Sequence, residues 1–60
     1  MKMLRINSCR DSLMWYANKI GQNVPFVGND RYDDTVYLSR EPAGYVNIVK
    51  KTDCEIVEVE

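Results

Sequence analysis

Histidine is absent from this chain, and cysteine, proline and glycine are scarce: two, two and three among sixty residues. Without an imidazole, neither the serines nor Cys9 and Cys54 have the ordinary base that nucleophilic catalysis needs. A zinc site would have to combine two unpaired cysteines with carboxylates and lacks the usual CxxC spacing. Two cysteines are also too few for a disulfide scaffold. The expectation is a pair of reduced thiols lying near each other, one past the first strand and one opening the last. Gly21, Gly28 and Gly44 are isolated from one another, so no glycine-rich phosphate loop exists. Eight basic and nine acidic residues leave a net charge of −1, which argues against gripping a nucleic-acid backbone non-specifically. No apolar run approaches the ~18 residues of a membrane span. The opening Met1-Lys2-Met3-Leu4-Arg5-Ile6 is charged and alternating, unlike a signal peptide. These absences point to a cytoplasmic, non-enzymatic chain with no cofactor, no metal and no membrane association.

What is present is β pattern. Thr35 to Val49 reads as one hairpin. Two alternating runs, near 35–40 and 45–49, flank Glu41-Pro42-Ala43-Gly44. Pro42 presets φ for a type I turn, and Gly44 supplies the left-handed residue that closes it with a bulge. Lys2 to Asn7 alternates as a first strand, with Leu4 and Ile6 on one face. Asp11 or Ser12 can cap a short helix whose apolar stripe is Leu13, Tyr16, Ala17 and Ile20, stopped at Gly21. Val24 to Val27 is a second strand, and Pro25 confines it to an edge or a strand start. Gly28 to Asp34 is a polar loop. Lys50 to Asp53 makes one 3₁₀ turn. Cys54 to Val59 is the last strand; Ile56 and Val57 break its alternation, implying a bulge or two covered faces. The sum is a single mainly β domain over 1–60: five strands curled into a small barrel, with one short helix in the first loop.

This order resembles the SH3-like small-barrel family. The residues that carry the likeness are Gly44-Tyr45-Val46-Asn47-Ile48-Val49, the turn Lys50-Lys51-Thr52-Asp53, and Cys54-Glu55-Ile56-Val57. The segments by which that family's peptide-binding members hold proline-rich ligands have no counterpart here: Trp15-Tyr16 stands in the first loop and Thr35-Val36 opens the third strand. A second likeness joins Trp15-Tyr16, Lys19-Ile20-Gly21, Pro25-Phe26-Val27, Arg40 to Val49 and Asp53 to Val57. It is similar to a class of short tailed-phage proteins with no assigned chemistry. That resemblance implies action in the cytoplasm of an infected bacterium, often by blocking a host protein.

The chemistry-bearing residues are few. Asp30, Asp33 and Asp34 could pair carboxylates, but an Asp-rich turn is ordinarily solvated and lacks the oxygen spacing of a calcium loop. The aromatic residues are a tenth of the chain, more than so small a core can hide. Tyr16 and Phe26 are assigned to the core; Tyr37, flanked by Val36 and Leu38, to the outside. Trp15 is out of phase with the helical stripe, and either lids the barrel or anchors a partner. Exposed Trp and Tyr bring contact area at low entropic cost. The expected contact surface is therefore Trp15, Tyr37 and Tyr45, with Arg40, Asp30, Asp33 and Asp34 at its rim. The partner is a protein, a host bacterial one on the phage resemblance, and the chain a monomer or weak dimer. The alternative is a nucleic-acid-binding small barrel, in which aromatic side chains stack bases and Arg5, Arg10, Lys19, Arg40, Lys50 and Lys51 hold phosphates.

Overall fold

The computed structural model describes residues 1–60. The strands are β1 (Lys2–Ile6), β2 (Asn23–Pro25), β3 (Gly28–Asn29), β4 (Val36–Arg40), β5 (Val46–Lys50) and β6 (Cys54–Glu58), with a 3₁₀ turn over Lys51–Asp53. They form two antiparallel three-stranded sheets, ordered β2-β1-β6 and β3-β4-β5. The mainly β expectation holds. The count and closure differ: there are six strands rather than five, and no ladder closes a barrel. The expected second strand ends at Pro25, whose backbone faces away from β1 as a proline at a sheet edge must, and Phe26 and Val27 belong to no strand. The chain resumes as β3 in the other sheet, so Gly28 and Asn29 are strand rather than loop. No helix is long and apolar enough to cross a membrane.

The hairpin forms as its turn residues dictate. Gly44 N–H donates to Glu41 O (2.8 Å), and Glu41 N–H donates to Tyr45 O (2.8 Å). Gly44 has φ of +99°, the left-handed region that costs a side chain dear. A Cβ placed there would meet nothing within 4 Å, so any penalty is conformational. Gly44→Val is expected to cost about 1–3 kcal/mol. An unchanged urea midpoint would contradict it.

The first loop is where local propensity loses. Residues 11–22 make separate i→i+3 turns, closed by Met14 N–H to Asp11 O, Ala17 N–H to Met14 O, Lys19 N–H to Tyr16 O and Gln22 N–H to Lys19 O. Asp11 caps as expected, accepting from Leu13 N–H at 2.9 Å, yet no helix follows. Leu13 is 91% exposed and Ile20 54% while Tyr16 is fully buried, so the expected stripe does not share one covered face. Instead the consecutive residues Met14, Trp15 and Tyr16 turn inward. A helix of this length has little stability of its own. The hydrogen bonds that Trp15 and Tyr16 make elsewhere decide the path.

The core is Leu4, Ile6, Tyr16, Val24, Val49 and Cys54, with Cys9, Met14, Trp15, Phe26 and Tyr37 packed against it. Tyr16 is buried and Phe26 half-buried, both against the core as expected. Tyr37 is a correction. It lies opposite Val49, so it shares the core face, and its ring meets Phe26 edge-on at 5.5 Å. Alternation beside Val36 misleads because Val36 is also buried, so β4 is covered on both sides. Ser39, fully buried, donates its hydroxyl to Pro25 O (2.6 Å) and so ties the two sheets. The β1–β6 register runs unbroken from Lys2↔Glu58 to Ile6↔Cys54. No bulge falls at Ile56 and Val57; Ile56 stays 41% exposed while Val57 is half-buried. Cys54 faces Ile6, Cys9 packs on the same core cluster, and both thiols are free.

Candidate functional site: the Trp15 cleft

β5 is an edge strand, with its inner side paired to β4. An edge normally exposes a row of backbone groups. Here side chains take those of Ile48 and Lys50. Ile48 O accepts from Trp15 Nε1 (2.8 Å), and Ile48 N–H donates to Asn47 Oδ1 (2.8 Å). Lys50 N–H donates to Tyr16 Oη (3.3 Å), and Lys50 O accepts from the Cys54 thiol (3.4 Å). The Trp15-Tyr16 dipeptide thus seals the seam that a ladder would close in a barrel. The two rings sit edge-to-face at 5.7 Å.

Behind this seal lies a buried polar group. Asp53, only 6% exposed, accepts from Tyr16 Oη at 2.6 Å and from Ser8 Oγ at 3.3 Å. Its carbonyl accepts from the N–H groups of Asn7 and Ser8. Asp53 therefore joins two parts of the first loop to the 3₁₀ turn, and every buried side-chain polar atom has a partner. Burial, then the bond to Asp53, holds the Tyr16 phenol protonated far above its ordinary value of 10.0. Burial pushes the Cys54 thiol from 9.0 up to about 11, aided by the Asp53 charge. A thiol so shifted is a poor nucleophile at neutral pH.

These shifts set a pH dependence. Both groups hold their protons more tightly folded than unfolded, so the stability they confer is complete below pH 9.0 and erodes above it. Cys54 acts between pH 9.0 and about 11, and Tyr16 from 10.0 upward. The expected slope for Tyr16 approaches a loss of ~1.4 kcal/mol per pH unit. Urea titrations on either side of pH 10 would read it, and Tyr16→Phe should lose the Tyr16 share of the slope. A profile identical in Tyr16→Phe and parent would show that the phenol carries none of it.

The exposed side of Trp15 forms one wall of an open cleft of about 210 Å³. Gln22, Asn23, Val24 and Pro25 from the β2 side and Pro42 of the hairpin turn also line it. Lys19, Arg40 and Glu41 ring it. Arg40 is held against the turn by donating Nη1 to Gly44 O (2.9 Å), while Glu41 accepts from Asn47 Nδ2 (2.8 Å). The rim therefore carries two cations and one carboxylate that already has a donor. A second, polar recess lies among Ser8, Arg10, Lys50, Thr52 and Asp53.

Of the residues singled out in the sequence, Trp15 and Arg40 meet in the cleft. Tyr45 stands on the same hairpin, 72% exposed, outside the cleft lining. Tyr37 lies on the core face of β4, with the Lys51 ammonium 4.9 Å from its ring. The acidic loop is apart. Asp30 Oδ1 accepts from the N–H groups of Tyr32 and Asp33, and Asp33 Oδ1 from Thr35 N–H and Oγ1. The Thr35 bonds hold the Asp33 carboxyl below its usual range. Asp34 is exposed beside them. No cluster of three or more Cys, Asp or Glu side chains converges to hold a cation. Glu41 and Pro42 were not read as site residues from the sequence, and Lys19 only as a phosphate contact in the nucleic-acid alternative. The hairpin reading placed Glu41 and Pro42 at a tip, but nothing local says that the first loop folds onto it. No known family, curated protein or solved structure matches the chain, so any functional reading rests on this geometry.

Proposed function

We propose that the chain is a protein-binding module that takes a segment of its partner into the Trp15 cleft. The observation that carries this reading is a half-buried indole, fixed by its own hydrogen bond and facing an open, largely unfilled space. A preordered aromatic wall loses little entropy on binding, and Lys19 and Arg40 can steer an approaching partner. Tyr45 extends the contact along the hairpin, with Tyr37 and the Asp30, Asp33 and Asp34 loop at greater remove. The architecture is read as SH3-like: the first strand lies between the second and the last, and a hairpin, a 3₁₀ turn and a closing strand follow. With the sequence likeness to short phage proteins, this suggests a modulator or inhibitor of a host bacterial protein, acting in the host cytoplasm as a monomer or weak dimer.

The test is capture from bacterial lysate by tagged chain, with and without nuclease, comparing the parent with the double variant Lys19→Glu, Arg40→Glu. The expected result is one stoichiometric protein that survives nuclease and is lost, by roughly tenfold or more, from a double variant with parental folding. Retention by the folded double variant would remove the cleft from the contact. Loss of every partner on nuclease treatment would favour a nucleic-acid-binding module.

A further inference from the structure

We propose that the segment taken by the Trp15 cleft is extended and acidic, and that its own backbone pairs with the edge of β2 at Asn23. This rests on the reading of the cleft as the contact surface and adds the chemistry of what enters it. Four consecutive residues, Gln22 to Pro25, line the cleft. Side chains of a strand alternate between its two faces, so a wall made of consecutive residues is the edge of a strand. β2 is such an edge, with β1 as its one neighbour.

The β1–β2 register fixes which backbone groups that edge presents. Ile6 N–H donates to Gln22 O (2.9 Å), and bonded pairs alternate along an antiparallel ladder. Val24 lies opposite Leu4, and Asn23 opposite Arg5. Gln22 O and the backbone groups of Val24 therefore point at β1, while those of Asn23 and Pro25 point away. Pro25 has no N–H, and its carbonyl accepts from Ser39 Oγ. Asn23 keeps both groups: no turn, loop or side-chain hydrogen bond reaches its N–H or its C=O. One residue of an extended segment supplies a partner to each.

The rim selects the charge of that segment. Lys19 and Arg40 line the cleft without a carboxylate partner, because the single ion pair in the structure joins the N-terminal ammonium to Glu58. The bond from Arg40 Nη1 to Gly44 O leaves the guanidinium further N–H donors. Glu41, the one carboxylate in the lining besides these cations, already accepts from Asn47 Nδ2. β1 places Arg5, not a carboxylate, opposite Asn23. A segment with Asp or Glu about an apolar residue brings carboxylates to Lys19 and Arg40 and an apolar side chain to the indole. A basic segment would meet two like charges.

The test uses three short capped peptides: one with Glu flanking a central Leu, its Lys counterpart, and the Glu peptide N-methylated along its backbone. In NMR titrations of the full chain the Glu peptide should move the Trp15 Nε1–H signal and slow exchange of the Asn23 amide roughly tenfold or more. The other two should bind at least about tenfold more weakly. The double variant Lys19→Glu, Arg40→Glu, with parental folding, should exchange the preference to the Lys peptide. Equal binding of the Lys peptide to the parent, or unimpaired binding of the N-methylated one, would overturn the proposal and leave the cleft a contact surface. So would a Glu peptide that moves the Trp15 signal but not the Asn23 amide. If no peptide moves Trp15 Nε1–H, the proposal falls, and the lysate capture by parent and double variant decides the cleft separately.

Discussion

Tyr16→Ala is expected to leave the chain largely unfolded in water at neutral pH. Truncating a fully buried aromatic ring costs about 3–5 kcal/mol, and Tyr16 is wholly inaccessible. The substitution also removes the 2.6 Å donor to Asp53 and the acceptor of Lys50 N–H. An orphaned buried polar group adds about 1–3 kcal/mol. A single core in a chain of this size supplies rarely more than about 3–5 kcal/mol in all, so the loss matches or exceeds the whole. Far-ultraviolet circular dichroism and amide chemical-shift dispersion would show it. Tyr16→Phe keeps the ring and should fold, less stable by about 1–3 kcal/mol. A folded Tyr16→Ala with a parental midpoint would mean that the joint between first loop, β5 and 3₁₀ turn is held by something else.

Trp15→Ala is the second large effect, at about 3 kcal/mol, the low end for a truncated aromatic because one side of the ring faces the cleft. It leaves Ile48 O without its donor and uncovers the edge of β5. Trp15→Phe retains much of the ring and loses only the Nε1–H, costing about 1 kcal/mol. Chemical denaturation followed by circular dichroism separates the two, since fluorescence would lose the chain's one indole. If Trp15→Ala kept parental stability and lost its partner, Trp15 would be an anchor alone. If Trp15→Phe cost as much as Trp15→Ala, the hydrogen bond would outweigh the packing. The expected order assigns Trp15 both duties: its polar edge seals β5 and its free face lines the cleft.

The hairpin, β1, the 3₁₀ turn and the last strand were legible in the sequence because each is specified within a few residues. Pro42 and Gly44 select one turn, and Leu4 and Ile6 define one face. The second strand and first loop were misread for opposite reasons. Pro25 was recognised as an edge residue, yet the change of sheet after it depends on Ser39, which reaches Pro25 O from fourteen residues away. The apolar spacing of Leu13, Tyr16, Ala17 and Ile20 is a true helical signal. It loses because the loop's buried side chains make their bonds across the molecule. The cleft was half-legible: Trp15 and Arg40 were singled out for chemistry, while Lys19 and Glu41 became neighbours only through the fold.

By itself the sequence determined that the chain is mainly β, that Lys2 to Ile6 and the run from Cys54 are strands, and that Glu41 to Gly44 reverses the chain. Backbone conformation and side-chain alternation are local properties, readable residue by residue. Tertiary structure alone decided that two sheets stay open rather than close as a barrel, that Tyr37 faces the core, that Asp53 is buried, and that Asn23 keeps free backbone groups at the edge of β2 while Ile48 and Lys50 do not at the edge of β5. Those outcomes turn on bonds from Trp15 to Ile48, Tyr16 to Lys50 and Tyr16 to Asp53, spanning 33, 34 and 37 residues. Such bonds form only once the sheets have brought their partners together, and in a core this small a few of them outweigh the preference of a nine-residue segment for helix.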